Sequence, residues 1–118
     1  MAHHDLRKAE SIVQRQVDAY NNRDINAFVA TYKEDAVIYE HFGDTVVATG
    51  HEAIRRQWGQ VFIDNPLLQC RVINRICLGN TIVDHEEVSG AYGQQIKAIV
   101  VYNVCNNLIQ KVWLIETL

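Results

Sequence analysis

The half of the chain that most restricts its fold begins at Leu67. From there the sequence reads as four strand-like segments, near 67–78, 81–89, 94–105 and 108–117. They are parted by Gly79-Asn80, by the stretch from Gly90 to Gly93, and by Asn106-Asn107. Residues of these types tolerate positive φ at little steric cost, so each joint predicts a tight hairpin between antiparallel neighbours. A ten-residue strand spans roughly 33 Å, and a twisted sheet of such strands must coil and acquire a concave face.

The first half supplies the elements that can cover that face. Leu6, Ala9, Val13, Val17 and Tyr20 recur at spacings of three and four, the signature of one buried helical stripe. Asn21-Asn22-Arg23 interrupts it, and Asp24 is placed to cap a second helix carrying Ile25, Phe28, Val29 and Tyr32. Ala36 to His41 reads as extended and Phe42-Gly43-Asp44 as a turn. Thr49-Gly50-His51-Glu52 has the form of a capping box, with the Thr49 hydroxyl accepting from the N–H of Glu52 and the Glu52 carboxylate accepting from the N–H of Thr49. The third helix buries Ile54, Trp58, Val61 and Phe62. It stops at Asp64-Asn65-Pro66, because proline removes a donor and disfavours helix in the residue before it. The expected fold class is α+β, three N-terminal helices on a curved, mostly antiparallel sheet, in one domain over residues 1–118. Where the helices leave the concave face open, a pocket remains.

Charge and composition narrow the partners. A net charge of −3 and the lack of any basic run interleaved with aromatics argue against nucleic acid and anionic membranes. The longest apolar run, Ala98 to Tyr102, is far short of the ~20 residues that span a bilayer, and Met1 to Arg7 has no apolar stretch resembling a secretory signal. Cys70, Cys77 and Cys105 are odd in number and form no CxxC pair, so reduced, buried thiols and a cytoplasmic location are expected. His41, His51 and His85 are scattered without HxH or HExxH spacing, and no phosphate-binding glycine loop occurs. Neither a metal nor another cofactor is expected.

The order of elements, with Arg23-Asp24-Ile25-Asn26-Ala27-Phe28, Tyr32-Lys33-Glu34-Asp35-Ala36-Val37 and Gly50-His51-Glu52-Ala53-Ile54, resembles the nuclear transport factor 2-like superfamily, closest to its SnoaL-like and ketosteroid-isomerase-like branch. Val83 to Gly90 and Leu108 to Trp113 are similar to members of the same branch. The resemblance implies a cone-shaped, usually dimeric fold with an apolar pocket between sheet and helices. It places the proton-abstracting carboxylate of ketosteroid isomerases on Glu40, the oxyanion tyrosine on Gln16 and the oxyanion aspartic acid on or near Ile99, so the base is matched and both donors are replaced. Tyr32 and Trp58 carry over as aromatic supports.

Read from the residues themselves, Glu40 shares a face with Ile38 and, if that face is interior, is a carboxylate in an apolar site suited to proton transfer. Asp84-His85-Glu86-Glu87 is the densest titratable cluster. Alternation puts Asp84 and Glu86 on one face with Ile82 and Val88, an acid pair roughly 7 Å apart that resists joint ionisation in a low dielectric. The reverse parity, with His85 and Glu87 inward, is the alternative. Tyr20, Tyr32, Trp58 and Phe62 line the cavity or merely pack, and Gln16, Ile99 and Glu116 complete the expected substrate-binding wall. Val100, Tyr102 and Trp113 are expected on the outer sheet face, where a second subunit would cover them. Two functions fit: a cofactor-free enzyme for isomerisation, cyclisation, dehydration or epoxide hydrolysis of a small apolar or cyclic substrate, with Glu40, Asp84 and Glu86 catalytic, or a non-catalytic dimeric module that binds a small organic ligand.

Overall fold

A computed structural model describes residues 6–43 and 45–117, with Leu6, Arg7 and His41 described by backbone alone. The first apolar stripe forms helix α1 (Leu6–Asn21). Its buried face carries Ala9, Ile12, Val13, Val17 and Ala19 and one polar member, Gln16. The Leu6 side chain, assigned to that stripe from spacing, lies outside the described residues. At the helix end Asn21 fastens α1 to the sheet: Nδ2 donates to the Cys70 carbonyl at 2.9 Å and Oδ1 accepts from the Cys70 N–H at 2.6 Å. Arg23 turns the chain at φ 50°. Asp24 then caps helix α2 (Ile25–Ala30), its Oδ1 accepting from the Ala27 N–H at 3.0 Å.

Helix α2 is shorter than its apolar stripe. Tyr32 is not helical but opens strand β1 (Tyr32–Glu40), which begins four residues before the extended stretch expected from sequence. Pairing decides this. Tyr32 lies opposite Ile109 on the final strand, and the Ile109 N–H donates to the Thr31 carbonyl at 2.9 Å. A ladder to a distant strand outweighs local helical spacing.

A short 3₁₀ turn (His41–Gly43) leads to β2 (Thr45–Thr49) and helix α3 (Gly50–Asp64); Asp44, assigned to the turn, lies outside the described residues. The expected capping box does not form, and Thr49 makes no side-chain cap hydrogen bond. Thr49 is committed to the sheet as the partner of Val37, and Gly50 then enters the helix at φ 83°.

The meander follows as β3 (Gln69–Leu78), β4 (Thr81–Ala91), β5 (Gln94–Cys105) and β6 (Leu108–Thr117). Strand order is β2-β1-β6-β5-β4-β3, a curled mixed sheet of six strands in which β1 and β6 run parallel and every other pair antiparallel. Its inner face and the helices share one core, in which Val13, Phe28, Ile38, Ile54, Ile82 and Ile109 are almost fully enclosed.

The β4–β5 hairpin corrects one expectation. A two-residue turn at Tyr92-Gly93 pairs Ala91 with Gln94, a register that, continued, would set Glu86 opposite Ile99. Instead the register shifts between Val88 and Ala91, with two residues on β4 facing one on β5, so Glu86 opposes Ala98 and His85 opposes Ile99. Ala98, Val100, Tyr102 and Val104 therefore point inward and are buried, whereas Ile99 is 37% exposed on the outer face. Both the inward placement of Ile99 and the outward placement of Val100 and Tyr102 are reversed. The bulge rests on Gly90, whose φ is 74° and whose Cα sits so close to the Leu67 carbonyl that a Cβ would fall 2.5 Å from its oxygen.

Trp113 does lie on the outer face, as expected, but its apolar companions there are other residues. Val46, Tyr39, Trp113, Val101, Val83 and Ile76 fall in one row across all six strands. The Tyr39 and Trp113 rings stack at 5.8 Å. The three thiols are free, but only Cys70 is buried: Cys77 is exposed and Cys105 half-buried, contrary to the expectation of three buried cysteines. No helix among the described residues is long and apolar enough to cross a membrane.

Candidate functional site

Between the sheet and the helices lies a cavity of about 70 Å³. Its floor is the inner face of β4, β5 and β6: Glu86, Val88, Ala98, Val100, Tyr102, Val112, Leu114 and Glu116. Gln16, Val17 and Tyr20 of α1, Phe28 of α2 and Trp58 of α3 form its roof, with Tyr32 and Ile38 of β1 and Cys70 of β3 closing the sides. Glu116 is exposed and Tyr20, Trp58 and Leu114 are half-buried, so these four mark the mouth.

The roof is aromatic by construction. The Phe28 ring is its hub, 5.3 Å from Tyr32, 5.4 Å from Phe62, 6.0 Å from Trp58 and 6.2 Å from Tyr20. Phe62 stands edge-on to Tyr20 at 5.4 Å and is buried behind these rings, outside the cavity wall. Edge and tilted contacts of this kind favour the observed ring orientations, with Tyr20 and Tyr32 on the cavity wall.

Glu86 is the buried acid of this site, with 6% of its surface exposed. The Tyr102 hydroxyl lies 3.2 Å from its Oε2 and 3.1 Å from Oε1 of Gln16. A hydroxyl has one proton, so it cannot donate to two acceptors at once. Both contacts are satisfied together when Glu86 is protonated, donating to the Tyr102 oxygen while Tyr102 donates to Gln16. The electrostatics agree. Burial, then the neighbouring charge of Asp84, pushes the Glu86 carboxyl from 4.5 up to about 7, against the opposing pull of hydrogen bonds from Cys70 and Tyr102. Burial also pushes the Tyr20, Tyr32, Tyr102 and Cys70 groups upward, keeping all four neutral near pH 7.

Asp84 has a different fate. It is fully buried and held by a bidentate fork from Arg75, Nε donating to Oδ1 at 2.7 Å and Nη2 to Oδ2 at 2.9 Å. Arg75 is anchored in turn by Gln14 of α1, its Nη1 donating to Oε1 at 2.8 Å, and has Glu10 at 3.9 Å. Asp84 is therefore a structural anion, and it does not line the cavity.

Glu40 ends β1 half-buried, on the face of Ile38 and opposite Leu114, but the cavity wall on β1 stops at Ile38. Glu40, Leu114, Val100 and Asp84 form one row across four strands, so three steps of ~4.8 Å, about 14 Å in all, part the two carboxylates along the sheet. Glu40, Asp84 and Glu86 do not form one cluster. The acids that share the cavity are Glu86 and Glu116, which flank Ala98 in a single row. Of the remaining expected wall residues, Gln16, Tyr20, Tyr32 and Trp58 line the cavity, and Phe62 and Ile99 do not.

Sequence reading missed three residues. Arg75 was legible in principle, since a two-residue turn at Gly79-Asn80 sets it opposite Asp84. Tyr102 was hidden by the bulge. Cys70 was expected to be buried, but nothing local tied it to Glu86. Among the described residues no group of histidines, cysteines and carboxylates could hold a metal ion. His51 bonds the Tyr32 carbonyl at 2.7 Å instead, and His85 lies on the outer face; the His41 side chain is outside the described residues.

Residues 13–112 match the SnoaL-like domain family, and the chain belongs to it. No curated protein matches the chain. Among solved structures, it is similar to a candidate ketosteroid isomerase from Kribbella flavida, 17% identical over 99% of this chain and 83% of that one, with a TM-score of 0.83. It is also similar to a candidate SnoaL-like polyketide cyclase from Jannaschia sp. CCS1 (14% identical, 98% and 90% covered, TM-score 0.79). A third is an uncharacterised cystatin-fold protein from Novosphingobium aromaticivorans (20% identical, 90% and 96% covered, TM-score 0.82). These likenesses establish the nuclear transport factor 2-like fold.

Proposed function

We propose that this chain is a cofactor-free acid/base enzyme acting on a small apolar or cyclic molecule, of the isomerase, cyclase, dehydratase or epoxide-hydrolase type, with Glu86 as the group that gives and takes the proton. The observation that carries this reading is the Glu86 carboxyl, buried in the cavity and pushed up to about 7, where a proton-transfer group works best at neutral pH. Tyr102 orients it, and Gln16, Tyr20 and Tyr32 are placed to hold an oxygen of the ligand. Cys70 is too strongly biased toward the thiol to serve as nucleophile. The cavity of about 70 Å³ has room for a few water molecules, so a larger ligand needs the mouth residues Tyr20 and Trp58 to turn aside.

The test needs no substrate. Carbon-13 NMR of labelled glutamate carboxyls, with Glu86→Gln for assignment, should find Glu86 titrating near neutrality. A titration in the ordinary carboxylate range would remove the basis for catalysis and leave a ligand-binding module.

The outer row through Tyr39, Trp113 and Val101 supports a second proposal, a homodimer through the sheet, since a continuous apolar row on an exposed face is best buried against its own copy. Light scattering should give twice the chain mass, and Val101→Glu should halve it. A monomeric wild type at high micromolar concentration refutes the dimer.

A further inference from the structure

Gln16 is the polar member of the buried α1 stripe, with 7% of its surface exposed. Burying an amide there costs free energy unless both of its ends find partners. Both do. Its Oε1 lies 3.1 Å from the Tyr102 hydroxyl, and Tyr32 takes a hydrogen bond from the other end of the amide. Donation to Tyr32 identifies the N–H end, so the end that meets Tyr102 is an acceptor.

That makes Gln16 the rival of Glu86 for a single hydrogen. The Tyr102 hydroxyl stands 3.2 Å from Glu86 Oε2 and has one proton to donate. Donated to Gln16, it leaves the Tyr102 oxygen free to accept from a protonated Glu86. Donated to Glu86, it stabilises the carboxylate and leaves the Gln16 carbonyl unanswered in a largely apolar wall. We propose that Gln16 is a positioning residue for the acid, holding the proton on Glu86 through the one hydrogen of Tyr102 until a ligand takes it. The inference rests on the proton-transfer reading of Glu86 and deepens it. As the proton passes from Glu86 to the ligand, or to water in the free protein, the Tyr102 hydrogen turns from Gln16 to the new carboxylate. It turns back when Glu86 is protonated again.

Other titratable groups also face Glu86: Asp84 on its own strand, Cys70 on β3, Tyr32 on β1 and Tyr20 on α1. Glu116 of β6 lines the same cavity, and Arg75 of β3 is bound to Asp84. Phe28 of α2 and Trp58 of α3 bring no charge. Burial and the Asp84 charge raise Glu86 whatever Gln16 does. The contribution of Gln16 is therefore separable from theirs only through Tyr102.

Gln16→Met keeps the length of the side chain and removes the acceptor. In carbon-13 titrations of the glutamate carboxyls of the full chain, Glu86 of this variant should titrate about 0.5–1 pH unit below wild type, the worth of one hydrogen bond. In a Tyr102→Phe background the same substitution should leave the Glu86 midpoint unmoved. Water admitted by the shorter-lived packing would lower Glu86 in both backgrounds, and that result overturns the inference. So does an unchanged or raised midpoint in the single variant. Should Gln16→Met fail to fold, the wild type decides. The carbon-13 signal of the Gln16 side-chain carbonyl should move upfield with the Glu86 midpoint as it loses the Tyr102 hydrogen, and a signal that stays still or moves downfield overturns the inference. If wild-type Glu86 titrates near 7 and Gln16→Met leaves it there, the Gln16 role falls and the acid/base reading survives. If wild-type Glu86 titrates as an ordinary carboxylate, the acid/base reading falls, and the Gln16 coupling stands only if the midpoint drops in the single variant and not in the Tyr102→Phe background.

Discussion

Asp84 and Glu86 sit two residues apart on one strand and one face, and their surroundings make them different instruments. At the Asp84 end, α1 and the edge strand close over the sheet, and Arg75 answers the charge with a two-pronged hydrogen bond. At the Glu86 end, the described cavity lining holds no cation, and the acid meets Cys70, Tyr102 and the neighbouring Asp84 carboxyl instead. A buried carboxylate with its own guanidinium remains an anion and joins the framework. One without it is pushed toward the protonated form, as burial and the Asp84 charge do to Glu86.

The sharpest way to break this contrast is to remove the guanidinium. Arg75→Met leaves Asp84 buried and unanswered and should cost about 3–5 kcal/mol in chemical denaturation. The pair Arg75→Met with Asp84→Leu should recover most of that loss, because an apolar pair replaces two desolvated charges. A single variant no worse than the double would show that the pair is not what closes this end.

Glu86→Gln comes next, with the opposite sign. The folded-state value lies above the unfolded one, so the Glu86 contribution is fully present below pH ~4.5 and is lost as pH rises through about 7. The wild type should therefore weaken across that window by roughly 3 kcal/mol. A glutamine carries no such dependence, so Glu86→Gln should be markedly more stable than wild type at pH 8 and about equal at pH 4.5. Parallel stability–pH curves for the two proteins would contradict the assignment.

Tyr102→Phe should have the smallest effect, about 1–2 kcal/mol for the contacts with Gln16 and Glu86. Because Tyr102 lowers the Glu86 value when it donates, its removal should move the Glu86 titration upward. A downward movement in the NMR titration would mean that accepting from the protonated acid outweighs donating to its anion.

Much of the fold was open to reading because turn chemistry and periodicity are local. Gly79-Asn80 and Asn106-Asn107 stand where the strands turn, and the Asp24 cap lies within three residues of the N–H it satisfies. The failures came where distant partners decide. Tyr32 leaves its helical stripe because Ile109 is waiting across the sheet, and Thr49 gives up its cap because Val37 claims it as a strand partner. The site was half legible for the same reason. The alternation of Ile82, Asp84, Glu86 and Val88 is local, whereas the partner of each acid depends on the register of neighbouring strands.

The bulge at Gly90 gives that register a further meaning. Every side chain of β5 stands on the side it does because the hairpin is one residue out of step with its turn. Losing that residue would bring Lys97, Ile99 and Val101 into the cavity and turn Ala98, Val100 and Tyr102 outward, all without altering a single letter of β5. The hairpin thus works like a reading frame. Substitutions edit the cavity one side chain at a time, while a one-residue insertion or deletion beside Gly90 rewrites a whole wall, and can trade an acid-lined pocket for one with a lysine in it.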